Sequence, residues 1–329
     1  MVPVRARPVA GCGSDGSKER HAGVPLGGIV GAAPRPRCRY AAAVTARLID
    51  GRLLAAAVRE EVSRRAAALC AAGRPPRLDA VLGGGDGGAA IYAESQARTC
   101  AQVGIDYQLH RLDDDAGYED VAGRVLLLNT DERVSAIMVH LPLPAGVDTE
   151  RVQSLIDPRK DVEGVNPANI GNVVYGRRSL VPCTALAVME MIESTGITLR
   201  GARCAIVGAS NIVGKPVAVL LMQAEATVIS ANKYTAGLPA MCREADVVVA
   251  AAGVPRLVGR EWIKPGAVVV DVGINRIEEP GGGSRTVGDV DFDAVREVAG
   301  WISPVPGGVG PMTVAMLLRN VAEAANRGA

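Results

Sequence analysis

The stretch Arg203 to Pro216, RCAIVGASNIVGKP, restricts the possible folds more than any other in this 329-residue chain. Cys204 to Val207 reads as a buried strand that ends in a Gly-Ala-Ser turn, after which the chain restarts as a helix. Gly208 and Gly214 bracket that turn. Strand-to-helix turns of this kind hold phosphate groups in α/β sheets, because the first helical N–H groups and the helix dipole point at the anion. The dinucleotide fingerprint has glycines at its first, third and sixth positions, whereas here Ser210 stands second and the last glycine comes at Gly214. Ala226 to Ser230, Asp246 to Ala251 and Ala267 to Val272 follow as short apolar runs separated by helix-length segments. That alternation predicts a parallel sheet with helices on its faces, an α/β fold. On spacing alone, a strand-turn-helix without a ligand stays open beside the nucleotide reading.

The end of the second strand bears on the cofactor. An NAD site places an Asp or Glu about twenty residues after the glycine turn to hold the ribose hydroxyl, while an NADP site avoids that charge and offers a cation. Here the strand ends Ser230-Ala231-Asn232-Lys233, without a carboxylate. NADP is therefore expected over NAD, with Lys233 the candidate for the 2′-phosphate; the alternative for Lys233 is a solvated loop lysine.

Length and composition bound the rest. The chain is long enough for two domains, and 48% hydrophobic residues supports ordinary globular cores. A net charge of +1 gives no reason to expect nucleic acid or a membrane surface, and one Phe with two Trp leaves no aromatic platform for bases. The seven cysteines are scattered without a CxxC pair, which reads as reduced thiols in a cytoplasmic protein with no metal site. Residues 1–45 differ: Gly, Pro, Ala and Arg dominate, and basic residues far outnumber Asp15 and Glu19. This leader is expected to be disordered. It is basic enough for a transit peptide but lacks the amphipathic pattern, and a further reading is a misassigned start, with Val44 the true initiator.

After Gly51, Leu53 to Leu69 reads as an Ala-rich amphipathic helix. Leu78 to Leu82 reads as a strand, Gly83 to Gly88 as a flexible glycine loop, and Ala89 to Val103 as a helix that contains Tyr92. Ile105 to Leu112 alternates as a strand, Tyr118 to Asn129 is helical, and Ala136 to Leu141 is a buried strand running into Pro142. This half repeats the strand-helix rhythm without a phosphate loop. It is expected to be a substrate domain, with a cleft between it and the dinucleotide domain.

Several segments together are specific: LPLPAG (Leu141 to Gly146), KDVEGVNPANIG (Lys160 to Gly171), PCT (Pro182 to Thr184), GASNIVGKP (Gly208 to Pro216), KPGAVVVDVGINR (Lys264 to Arg276), VGDV (Val287 to Val290) and PVPGGVGPMTVAML (Pro304 to Leu317). From about Ala46 to the C-terminus the chain closely resembles the methylenetetrahydrofolate dehydrogenase/cyclohydrolase family, the bifunctional FolD type. The resemblance implies oxidation of methylenetetrahydrofolate to the methenyl form by hydride transfer to NAD(P), then hydrolysis to the formyl form. It also implies a homodimer acting on tetrahydrofolate derivatives. The fold implied is a folate-binding α/β catalytic domain over 46–181, completed by 305–329 as the last helix returns to it, and a Rossmann-like NAD(P)-binding domain over 182–304.

Residue by residue, the resemblance gives Gly208, Ala209, Ser210, Val213 and Gly214 to the nucleotide turn, and Gly273 and Ile274 to the strand end that meets the nicotinamide. It gives Pro306, Gly307 and Gly308 to a loop closing over the folate, where glycines are expected to let backbone approach ligand. The family's hydrolytic machinery is a Tyr-x-x-x-Lys motif, the glutamine of VQLPLP and the last aspartate of KDVDG. Here Tyr92 is present, but Gln96 stands at the lysine, His140 at the glutamine, Glu163 at the aspartate and Ala89 at a loop serine. A carboxamide cannot exchange a proton near neutral pH, and loss of a positioned acid or base costs about 10²–10⁴-fold. Weak cyclohydrolase activity is therefore expected, with dehydrogenation less affected because hydride transfer needs no general base. Two alternatives stay open, a paralogue with a changed one-carbon substrate and a non-catalytic folate or NADP binder. His140 reads either as a new acid/base or as a ring bonded to a backbone carbonyl at a strand end, and Cys183 as a buried small residue rather than a nucleophile.

Overall fold

Arg47–Leu48, the first strand (β1), pairs in parallel with Trp301–Ile302, near the other end of the chain. The computed structural model describes residues 45–84, 87–177, 180–278 and 282–327. The expectations for the leader fall on residues 1–44, which lie outside the described residues, as do Gly85 and Asp86 of the glycine loop.

After β1, Asp50 caps helix α1 (Gly51–Ala71) by accepting from Arg52 N at 2.9 Å and Leu53 N at 3.2 Å, the side-chain cap expected of Asp at a helix start. The run 77–139 then forms β2 (Arg77–Gly83), α2 (Gly87–Val103), β3 (Asp106–Leu112), α3 (Tyr118–Thr130) and β4 (Ala136–Val139). These strands make one parallel sheet in the order β3-β2-β4. Two boundaries differ from the sequence reading. Helix α2 begins at Gly87, inside the expected loop, and β4 stops at Val139, so His140 and Leu141 leave the strand ahead of a cis Leu141–Pro142 bond.

Helices α4 (Thr149–Gln153), α5 (Pro167–Val174) and α6 (Cys183–Glu193) lead to the second sheet. There follow β5 (Arg203–Val207), α7 (Gly214–Gln223), β6 (Thr227–Ala231), α8 (Leu238–Arg243), β7 (Val247–Ala250), β8 (Val268–Asp271), a hairpin of β9 (Asn275–Glu278) and β10 (Ser284–Val287), α9 (Phe292–Arg296) and β11 (Trp301–Ile302). The six-stranded sheet runs β1-β11-β8-β7-β5-β6, parallel throughout. Strands β7 and β8 are buried at every residue, as β-branched runs covered on both faces must be. The short β1 thus completes the sheet formed largely by the C-terminal half, a pairing with no signature in so brief a run.

The last helix, α10 (Val309–Arg327), packs along α1 and α6. At its start the chain lies so close to α1 that a Cβ on Gly51 would stand 1.8 Å from Gly308 O. Further along, Asn320 Nδ2 donates to Val162 O at 2.8 Å and Val181 O at 3.0 Å, satisfying carbonyls of two separate loop segments from the last helix.

One buried carboxylate organises the ends of the second sheet. Asp289, fully buried, accepts from Ala252 N at 2.6 Å, Gly253 N at 2.8 Å and Asn275 Nδ2 at 2.8 Å. Three donors, two from the loop after β7 and one from the start of β9, converge on it. Asp289→Ala is expected to lower stability by about 3 kcal/mol or more, since each stranded donor costs about 1–3 kcal/mol. The denaturant midpoint measures this; a loss under about 1 kcal/mol would mean that the donors find water instead.

Candidate active site

Two loop clusters sit at C-terminal strand ends. In the six-stranded sheet the chain leaves β5 toward β6 on one side and toward β7 on the other, so the β5 and β7 ends form the switch point where open α/β sheets bind ligands. Gly208, with φ +118°, stands at that point, and a Cβ there would lie 2.0 Å from Ala251 O. A Cβ on Gly214 would lie 1.9 Å from Gly208 O, and one on Gly273 2.2 Å from Asp289 Oδ1. These glycines let the chain approach itself. Ser210 Oγ accepts from Val213 N at 3.2 Å and Gly214 N at 3.4 Å, at the residue before α7 and its first residue. Ala209 is half-buried beside it, and Ser210 is exposed.

Around this turn, β6 ends in exposed Asn232 and Lys233, with the Lys233 ammonium 5.0 Å from the ring centroid of Tyr234. The residues fit a dinucleotide phosphate: a cation and an amide stand where an acidic side chain would repel it. Ile274, 74% exposed, follows β8, and Asp271 holds that strand end by accepting from Gly273 N, Asp289 N and Val290 N, each at 2.9 Å. Val305–Pro306 is cis, and Pro306, Gly307 and Gly308 line a cavity of 210 Å³ together with Gly273 and Ile274.

The second cluster opens beside β4. A cleft of 330 Å³ is lined by Tyr92 from α2, His140 after β4, Glu163, Cys183 and Thr184 from α6, Ile212 from the glycine turn and Thr313 from α10. Three elements distant in sequence thus bring Tyr92, His140 and Glu163 to one wall. The motif KDVEG explains how Glu163 is held there. Lys160 Nζ donates to Leu128 O, Asn129 O and Asp131 O at 2.8–3.1 Å, binding the last carbonyls of α3. Asp161, fully buried, accepts from Gly164 N, Asn166 N and Asn169 Nδ2. Between these anchors Glu163 faces the cleft. Its carboxyl is pushed up to about 7 by burial and by the Asp161 carboxylate, against a hydrogen bond from the Val139 backbone. Glu163 Oε2 is buried and has no partner among the described residues.

His140 is 2% exposed, and burial lowers its pKa. Its Nε2 lies 3.0 Å from Tyr107 Oη, and its ring meets the Tyr92 ring edge-on at 5.9 Å. The ring therefore bonds a tyrosine hydroxyl, not the backbone carbonyl offered as an alternative; a backbone bond does form, but from His140 N to Val81 O. Burial also raises the Tyr92 pKa, with Glu163 adding to it. Gln96 lies one turn beyond Tyr92 on α2, 4% exposed, with neither amide atom partnered among the described residues. It does not line the cleft, and Ala89 is buried near the start of the helix. Cys183 is buried as expected, its thiol donating to Val162 O at 3.1 Å. Sequence reasoning missed Tyr107, Thr313 and Asn320. Thr313 lies within the quoted PVPGGVGPMTVAML segment without being singled out, and the alternation of β3 packs Tyr107 against the core.

Comparison with known proteins bears directly on these clusters. Residues 49–163 match the family model of the tetrahydrofolate dehydrogenase/cyclohydrolase catalytic domain, and residues 182–329 match that of the family's NAD(P)-binding domain. The chain belongs to the tetrahydrofolate dehydrogenase/cyclohydrolase family. Within this family it is 48% identical to the bifunctional protein FolD of Bordetella avium, over 86% of this chain and 99% of that one. Against the crystal structure of FolD from Campylobacter jejuni the TM-score is 0.82 at 38% identity, covering 85% and 99% of the two chains. The Trypanosoma brucei enzyme, solved with NADP and an inhibitor, gives a TM-score of 0.80 at 38% identity, covering 86% and 98%. The family fold, an α/β pair with a Rossmann-like sheet, is the one described above. Among the described residues no helix is long and apolar enough to cross a membrane.

Proposed function

We propose that this protein oxidises 5,10-methylenetetrahydrofolate to the 5,10-methenyl form in one-carbon metabolism, with NADP as acceptor, and hydrolyses the methenyl product only weakly. The observation that carries the second half is Gln96, a buried carboxamide without a proton to exchange at the family's lysine position. NADP, when bound, supplies the hydride acceptor. The protein's own part is positioning, because hydride transfer depends on holding two reactants in contact. Tyr92 and the Pro306-Gly307-Gly308 loop are assigned to the folate, and Lys233 with Ser210 to the cofactor phosphates. Support for NADP over NAD lies in the exposed Lys233 and Asn232 at the β6 end. The partition into a folate domain over 46–181 with 305–329 and a nucleotide domain over 182–304, and assembly as a homodimer, belong to the same reading.

The test is a product-resolved assay. Purified protein is mixed with methylenetetrahydrofolate and either NADP or NAD, while reduced cofactor, methenyl and formyl products are followed separately. Methenyl accumulating with NADP is expected, with formyl product about 10²-fold or more below what a lysine at position 96 would allow. Formyl product appearing as fast as the cofactor is reduced would overturn the weak-hydrolysis reading. Folate and NADP binding without turnover would replace the enzyme with a binder.

A further inference from the structure

The cleft between Tyr92, His140 and Thr313 has an unusual charge balance. None of its lining residues is Lys or Arg, and Glu163 is its one carboxylate. The other titratable groups facing Glu163 are weak and held neutral. Burial raises Tyr92 on α2 and Cys183 on α6, and it lowers His140 after β4, whose ring is backed by the hydroxyl of Tyr107. From α10 come Thr313, Val314 and Leu317, none of which titrates. Behind Glu163, the Asp161 carboxylate is taken up by the loop it anchors. When Glu163 ionises, the cleft therefore holds an unneutralised negative charge beside an oxygen, Oε2, that has no partner among the described residues. Uncompensated buried charge is costly, and a cationic ligand relieves it.

The proposed reaction makes such a ligand. In the methylene substrate, one carbon bridges two nitrogens and is neutral. Oxidation breaks one C–H bond, both electrons leave with the hydride for the nicotinamide, and the N–C–N bridge becomes an amidinium carrying one positive charge. No proton is released at that step. We propose that Glu163 is the counter-charge for this cationic product, so that the cleft favours forming and retaining the methenyl ion over hydrolysing it. The inference rests on the dehydrogenase reading above. It carries a linkage. With Glu163 near 7, cation binding below that pH must first expel the carboxyl proton, so affinity falls as pH falls and is level above it.

Equilibrium binding without NADP tests this. The probes are 5,10-methenyltetrahydrofolate and 5-formyltetrahydrofolate, which share pterin and glutamate groups but differ in the charge of the one-carbon unit. Stopped-flow titrations between pH 5.5 and 8.5 give the apparent Kd of each before the methenyl compound opens in solution. Methenyl affinity is expected to weaken roughly tenfold per pH unit below about 7, with no such slope for the formyl compound. Glu163→Gln keeps an acceptor for the Val139 N–H. It is expected to abolish the slope and to weaken methenyl binding at pH 8 on the order of 30-fold more than it weakens formyl binding. Continued formyl binding shows that the variant is folded. A slope persisting in Glu163→Gln, or equal pH responses for both probes, would overturn the counter-charge. If neither folate binds the wild-type protein, the dehydrogenase reading falls too; binding of both without a slope removes the counter-charge alone.

Discussion

Gln96→Lys is expected to raise hydrolysis of methenyltetrahydrofolate by about 10²-fold, the ordinary worth of a positioned acid or base. Gln96 lies on the buried face of α2, 4% exposed, one turn beyond Tyr92. Its amide makes no hydrogen bond among the described residues, so the substitution breaks none there. A lysine there would be desolvated, which lowers an ammonium pKa and leaves a fraction of free amine to act as base near neutrality. Single-turnover conversion of methenyl to formyl folate reads the gain, and thermal denaturation reads what burying the amine costs. If the variant is folded and binds methenyl folate, yet hydrolyses it no faster, the loss of activity lies with His140 and Glu163 instead of Gln96.

Gly208→Ala is expected to destabilise the protein by about 3 kcal/mol or more and to abolish cofactor binding at ordinary concentrations. Two penalties add at this residue. Its φ of +118° lies where L residues other than glycine rarely go, a strain of about 1–3 kcal/mol. The new Cβ would also stand 2.0 Å from Ala251 O and 2.5 Å from Ala251 C, backbone atoms at the end of β7 that cannot rotate away. Relief requires parting β5 from β7 at the switch point, and that displaces Ser210 and the start of α7. A fall in Tm of roughly 5–10 °C is expected for a chain of this size, with NADP affinity lost by calorimetry. A variant with wild-type NADP affinity would show that the turn tolerates the parting and that the glycine serves packing alone.

These expectations separate what was legible in the chain from what was not. Strands β5 to β8 fall within one or two residues of the runs read from apolar patterning, most clearly β5, β7 and β8, which are buried along nearly their whole length and so are apolar throughout. The nucleotide turn was legible for a related reason: Gly208 and Gly214 answer to local backbone geometry that few other residues satisfy. Family motifs also marked Tyr92, Gln96, His140 and Glu163 as one site, and the fold brings Tyr92, His140 and Glu163 to one cleft, with Gln96 behind Tyr92.

Side-chain environment was not legible in the same way. Nothing near His140 in sequence announces Tyr107, which reaches its ring from a different strand at 3.0 Å. Likewise Asn320, on the last helix, joins the carbonyls of Val162 and Val181 across most of the domain, and β1 finds its partner at Trp301–Ile302. The local sequence determined the strands and the glycine turn, since each follows from periodicity or from a conformation only certain residues adopt, and the family motifs marked side chains that stand at the cleft. Tertiary structure alone decided the electrostatics of that cleft: burial and the neighbouring Asp161 raise the Glu163 pKa, no lining residue is Lys or Arg, and each depends on which distant segments meet.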